Sequence, residues 1–260
     1  MKPIENIVII GSGNVAYHFL NAFSANGIKV LQLLARNEQK AKELSSKFSV
    51  PYTINTEHID KSADLYILAV QDDQIHSVAA RLHLDRQLLV HTSGFSSIDL
   101  LSGASTNTGV IWPLQTLTAG NEVDYNNIPF FIEGNNKENE AKLSRIAGLV
   151  SGRVVQADSP TRQRVHLAAV IASNFTNHLY SIASSIMENT GISPDVLSPL
   201  IMETAKKAIT AGPLISQTGP ASRNDLNVIE RHLGLLESNP EFREIYRIIS
   251  NNIINLHHKK

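Results

Sequence analysis

The chain has 260 residues, 42% of them hydrophobic and 18% charged, with a formal net charge of -1. That length and apolar content suffice for one large or two modest cored domains, and the interspersed charge argues against a nucleic-acid or anionic-membrane surface. The absence of cysteine excludes disulfides, Cys–zinc sites and thiol nucleophiles, and it is compatible with a reducing cytoplasm.

The apolar run Ile7–Ile10 near the N-terminus is too short for a signal-peptide core and runs into a glycine turn. No apolar stretch reaches the ~18 residues of a membrane helix. The expectation is a soluble, cytoplasmic protein with neither a membrane nor a nucleic acid as partner.

Up to about Ser159 short apolar runs alternate with helical patterns. Strands are expected at Ile7–Ile10, Val30–Leu34, Leu65–Val70, Leu88–His91, Gly109–Ile111 and Phe130–Glu133, with Arg153–Gln156 as a further one. Helices are expected at Val15–Asn26, Glu38–Phe48, Ile75–Arg81 and Lys137–Ser151. Near-continuous apolar strands alternating with helices predict a parallel sheet covered on both faces. From Thr161 onward the pattern is helical only. A long helix should cover Thr161–Asn189, a second should open at Pro194, Asp225 should cap a third, and Pro240 should begin a fourth. The fold class is therefore α/β: a Rossmann-type doubly wound domain over residues 1–159, then an all-α substrate and dimerisation domain over residues 160–260.

Gly11-Ser12-Gly13-Asn14-Val15-Ala16 follows the first strand directly and opens the first helix. Gly11 permits the tight turn, Gly13 lets a pyrophosphate approach the backbone, and the helix N-terminus offers N–H groups to phosphate. The second strand ends in Arg36-Asn37, where NAD-binding versions carry an acid. A guanidinium there suits a 2′-phosphate, so NADP is preferred over NAD. The other strand ends that face this crevice present Val70, Gln71 and Asp72, then Thr92, Ser93 and Gly94. Capping and turn chemistry explain Asp72, Ser93 and Gly94 individually; their common location points to the nicotinamide.

With these residues in place, the chain resembles the Rossmann oxidoreductases with a helical C-terminal domain. That superfamily includes pyrroline-5-carboxylate reductase, 6-phosphogluconate and 3-hydroxyisobutyrate dehydrogenases, and deazaflavin-dependent NADP reductases. "HTSG", "WPLQT", "NFTNHLY" and "QTGPASRND", in that order, are similar to the Rossmann-like proteins whose C-terminal part is called domain of unknown function 2520. The resemblance implies an NAD(P)-linked oxidoreductase with a helical dimerising domain and no assigned substrate. Hydroxyacid dehydrogenases of the superfamily place a lysine four residues before an asparagine on the long helix. Asn174 is present here, but Val170 stands in the lysine's place, which puts lysine-assisted alcohol oxidation in doubt.

At ~100° per residue, His178 should lie about 40° from Asn174, with Asn177 and Ser181 on the same polar stripe and His166 roughly 80° away. Asn174 and His178 are the catalytic candidates; the alternative is that the stripe is a solvated face. The late loop offers Thr218, Arg223 and Asn224 as substrate-binding candidates, with Gln115, Thr116 and Trp112 as an opposing wall. Turn geometry does not ask for Arg223, which suits an anionic substrate group or, equally, a salt bridge to a helix acid. No metal site is expected, since His257 and His258 have no third ligand in register. The functional expectation is an NADP-dependent oxidoreductase acting on a small polar substrate. A non-catalytic NADP-binding regulator is the alternative. A homodimer should form through the helical domain, whose long helix is apolar widely around its circumference.

Overall fold

A computed structural model describes residues 3–188 and 190–258. Asn189, the expected end of the long helix, and the last two lysines of the basic tail lie outside the described residues.

The first 172 residues form one compact unit around an eight-stranded sheet. Its strands are β1 (Asn6–Ile10), β2 (Lys29–Leu34), β3 (Tyr52–Thr53), β4 (Leu65–Leu68), β5 (Leu88–His91), β6 (Asn107–Pro113), β7 (Phe130–Gly134) and β8 (Val154–Gln156), in the spatial order β3-β2-β1-β4-β5-β6-β7-β8. The helices are α1 (Asn14–Ala25), α2 (Glu38–Phe48), α3 (Ile75–Arg81), α4 (Lys137–Gly148) and α5 (Ser159–Ala169). Alternate side chains of one strand serve opposite faces. Ile7 and Ile9 join Phe19, Leu20 and Phe23 of α1 and Leu143 and Ile146 of α4, while Val8 and Ile10 join Ile75 and Ala79 of α3. Burial on both faces is why these strands are apolar at every position instead of at every second one.

The sheet is not parallel throughout. β6 pairs with β7 antiparallel, and β8 follows β7 in parallel, so the last two strands run against the other six. Apolar patterning identifies a buried strand but carries no sign for its direction. The edge strand β3 has two residues and no periodicity to detect.

α5 begins at Ser159, where Asp158 Oδ1 accepts a hydrogen bond from Thr161 N at 2.9 Å. The helix does not continue regularly to residue 189. Residues Val170–Phe175 form a π-helical segment, and α6 spans Thr176–Ile186. The boundary between the compact units falls inside that segment, at 172/173. Residues 160–172 thus belong structurally with the sheet, although their composition resembles the helical half. Buried Arg162 and half-buried Val165 account for this, since both pack into the sheet unit.

The second unit, residues 173–260, contains α6, α7 (Ser198–Ala211), α8 (Leu226–Leu235) and α9 (Pro240–His258). Its core is small: Ala221, Ile229 and Leu233 are buried against Tyr246, Ile253 and Ile254. α7 buries none of its fourteen residues.

Candidate functional site

At the C-terminal ends of β1, β2 and β4 lies a cleft of about 710 Å³. Its floor is the turn at Gly11, where φ is +127° and a Cβ would stand 2.1 Å from the carbonyl oxygen of Ala69. Only glycine lets β1 and β4 approach so closely there. Gly13 precedes α1 in an extended conformation, and no side chain caps the helix. The first turn of α1 also lacks an acid, so its free N–H groups and positive dipole end remain available to an anion.

Ser12, Arg36, Asn37, Val70 and Gln71 line the same cleft. Asn37 has a structural task as well, since its Oδ1 accepts from Lys40 N at 3.0 Å and caps α2. Lys40 and Arg81 also line the cleft, together with Asn55, Thr56 and Ser77. Sequence reading missed these two cations. Lys40 sits one helical turn into α2 and Arg81 at the far end of α3, and nothing local says that they converge with Arg36. Among the described residues none of the three cations has an ion-pair partner, and the cleft lining holds no Asp or Glu. Unpaired cations beside an uncapped helix N-terminus make this end of the cleft electropositive, the chemistry that attracts anionic groups.

The remaining first-unit candidates are placed differently. Asn14 Oδ1 accepts from Ala119 N at 3.1 Å, which ties the β6–β7 connection to the start of α1. Val15 packs against the core. Thr92 is buried and its hydroxyl donates to Leu68 O. Ser93 Oγ donates to Asp72 Oδ2 at 2.7 Å and accepts from the backbone N–H groups of Phe95 and Ser96. That hydroxyl joins the loops that follow β4 and β5. Gln115 and Thr116 line a separate polar cavity of about 400 Å³ with Thr118 and Asn121.

The loop after β5 is held from beneath. Arg162, fully buried, donates through Nη1 to Glu133 Oε2 and through Nη2 to Ser96 O and, at 3.2 Å, to Ser159 Oγ. His91, at the end of β5, accepts from Ser93 N through Nδ1 at 3.2 Å. Burial, reinforced by the Arg162 charge, lowers its pKa to about 3, so the imidazole is neutral. Above the loop, Trp112 and Phe95 contact the ring of half-buried His166, at centroid distances of 5.7 and 6.0 Å.

In the second unit Asn174 lies in the π-helical segment and His178 on α6, both exposed. The wider turn of that segment breaks the 100° step used to relate His166 to Asn174. Thr218 borders an apolar cavity of about 240 Å³ lined by Ile182, Phe242, Tyr246 and Ile249. Asp225 caps α8, accepting from Val228 N at 3.2 Å. Asn224 takes φ +56°, a left-handed conformation that asparagine tolerates. The N–H groups of Arg223 and Asp225 both reach Pro220 O, while the exposed Arg223 side chain has no partner among the described residues.

Two family models match the chain: "NADP oxidoreductase coenzyme F420-dependent" over residues 6–93, and the domain of unknown function DUF2520 over residues 128–253. A candidate NADP oxidoreductase of Bacteroides fragilis is 36% identical, with 97% of this chain and 98% of that one covered and a TM-score of 0.89. A Thermotoga maritima protein is 25% identical, covers 96% and 98% of the two chains, and has a TM-score of 0.74. The reductive aminase of Aspergillus terreus, solved with NADPH and ethyl levulinate, shares the fold at 12% identity and a TM-score of 0.73, with 97% and 93% covered. No curated protein matches. Among the described residues no helix is long and apolar enough to cross a membrane.

Proposed function

The chain belongs to the family of NADP oxidoreductase-type Rossmann proteins that carry domain DUF2520, and on that premise we propose that it is an NADP(H)-dependent oxidoreductase acting on a small polar substrate. The observation that carries this reading is the set of Arg36, Lys40 and Arg81 lining one cleft without an acid, beside the uncapped α1 N-terminus. The pyrophosphate would lie on Gly11–Gly13 and the start of α1, and the 2′-phosphate among the three cations. When bound, the dinucleotide supplies or takes the hydride. The chain's own residues hold its phosphates and, through Ser93, Asp72 and Arg162, order the loops beyond β4 and β5.

Calorimetry with NADPH, NADH and adenosine 2′,5′-bisphosphate tests the cofactor: NADPH and the bisphosphate should bind, and NADH markedly more weakly. Turnover with a panel of imines, keto acids and aldehydes, plus a 5-deazaflavin because the matched family is coenzyme F420-dependent, tests the reaction. NADPH binding without any turnover would favour a regulatory role.

We further propose that a second copy of the chain covers the helical unit. In that unit Leu200, Met202, Ile209, Ile215 and Leu235 are 64–85% exposed. So much open aliphatic surface is characteristic of an unpaired interface.

A further inference from the structure

We propose that His166 is the residue that exchanges a proton with the substrate during hydride transfer; the inference rests on the oxidoreductase reading above. The ends of β2, β1, β4, β5 and β6 follow one another along one edge of the sheet. With the 2′-phosphate at the end of β2 and the pyrophosphate at the end of β1, the other half of an extended dinucleotide points toward β4 and β5. The ends of β2 and β5 are three strand spacings apart, about 14 Å, a distance an extended dinucleotide covers. His166 stands at that far position. A Cβ on Gly94, beyond β5, would meet the His166 ring at 2.7 Å and the Trp112 ring at 2.5 Å. The imidazole is therefore seated directly on the loop backbone, and the absence of a side chain at residue 94 makes the seat.

Four other titratable groups around the loop after β5 are already engaged. Asp72 accepts from Ser93, Glu133 and Arg162 are paired, and His91 is buried beneath the loop and neutral. The nearest charges on the same helix are Arg162, turned inward, and Arg164, which is exposed. His166 is half-buried between Trp112, Phe95 and the Gly94 backbone, and neither ring nitrogen has a hydrogen-bond partner among the described residues. A group that can pass a proton needs such a nitrogen free for the ligand. In the reducing direction, bound NADPH would give up a hydride and become NADP⁺, and that hydride would form a C–H bond at the carbon of a C=N or C=O group. An imidazolium N–H bond breaks, an N–H or O–H bond forms on the adjacent heteroatom, and solvent reprotonates His166.

The test is NMR of the protein labelled with ¹⁵N-histidine, with the His166 ring signals identified by their loss in His166→Phe or His166→Gln. NADP⁺ should shift those signals, whereas adenosine 2′,5′-bisphosphate, which lacks the nicotinamide half, should bind and leave them in place. His166→Phe keeps a ring against Trp112 and Phe95, so NADPH affinity should stay within about twofold while turnover of any substrate found falls roughly 100-fold or more. Unmoved His166 signals on NADP⁺ binding, or wild-type turnover in His166→Phe, would overturn the assignment and leave the oxidoreductase reading intact. If neither NADP⁺ nor the bisphosphate binds, the oxidoreductase reading fails first and this inference with it.

Discussion

Arg162 of α5 and Glu133 of β7 form an ion pair in which the guanidinium has no solvent exposure, and the same guanidinium also holds the Ser96 carbonyl beyond β5. A segment that looks helical and separate in sequence is thereby fastened to the sheet at the loop flanking the proposed nicotinamide position. Removing one partner of a buried pair strands the other charge, at a cost of about 3–5 kcal/mol. Arg162→Met should lower unfolding stability by that order in urea denaturation, while the exposed change Arg164→Ala should cost no more than about 0.5 kcal/mol. Equal effects from the two variants would mean that the pair does not anchor the helix.

His91 makes stability depend on pH. Its folded pKa of about 3 lies below its ordinary value near 6.5, so between those values the unfolded chain binds the extra proton. Stability contributed by neutral His91 is fully present above about pH 6.5 and declines as the pH falls, by up to about 1.4 kcal/mol per unit, until about pH 3. Comparing wild type with His91→Gln isolates this term from acid-sensitive carboxylates. Parallel stability curves for the two proteins between pH 4 and 7 would refute it.

Arg36 lines the cleft with no carboxylate partner among the described residues. Loss of one charge-assisted contact to the 2′-phosphate costs about 1.5–3 kcal/mol, or roughly 10- to 150-fold in affinity. Arg36→Asp should weaken NADPH binding by that factor and spare NADH, and Lys40→Ala and Arg81→Ala should act in the same direction. Equal affinity of the wild type for both dinucleotides would defeat the claim.

Arg223 sits in a turn closed on the Pro220 carbonyl and extends into solvent. As a purely surface side chain, its change to alanine should alter stability by no more than about 0.5 kcal/mol. As an anion-binding residue, its loss should cost a carboxylate ligand about 1.5–3 kcal/mol with NADPH affinity unchanged, and Lys should restore only part of that. A carboxylate library screened by thermal shift with NADPH present separates the two roles. Hits that stabilise wild type and Arg223→Ala equally would remove Arg223 from the substrate site.

The helical unit should pair in solution. α7 buries no residue, and Ile209 is 85% exposed. Light scattering should give a dimer at micromolar concentration, and Ile209→Asp with Met202→Asp should yield monomers if α7 is part of the contact. A monomeric wild type would rule the pairing out.

What the sequence determined by itself was whatever depends on neighbours along the chain. The bounds of β5, α2 and α3 matched their patterns, and the glycine turn stood between strand and helix as its spacing required. The cap at Asp225 was equally legible, because capping joins residues three apart. Tertiary structure decided what depends on residues distant in sequence. The reversal of β7 and β8 is a pairing choice that apolar runs do not encode. Lys40 and Arg81 meet Arg36 only because α2 and α3 return to the same sheet edge. The π-helical segment across the unit boundary changes the pitch without changing the apolar pattern, so the sequence alone predicts a regular helix there. His166 looked peripheral by helical angle. It gains its position from Trp112 and from a bare glycine at residue 94, since a ring can rest on a loop only where no Cβ occupies the space.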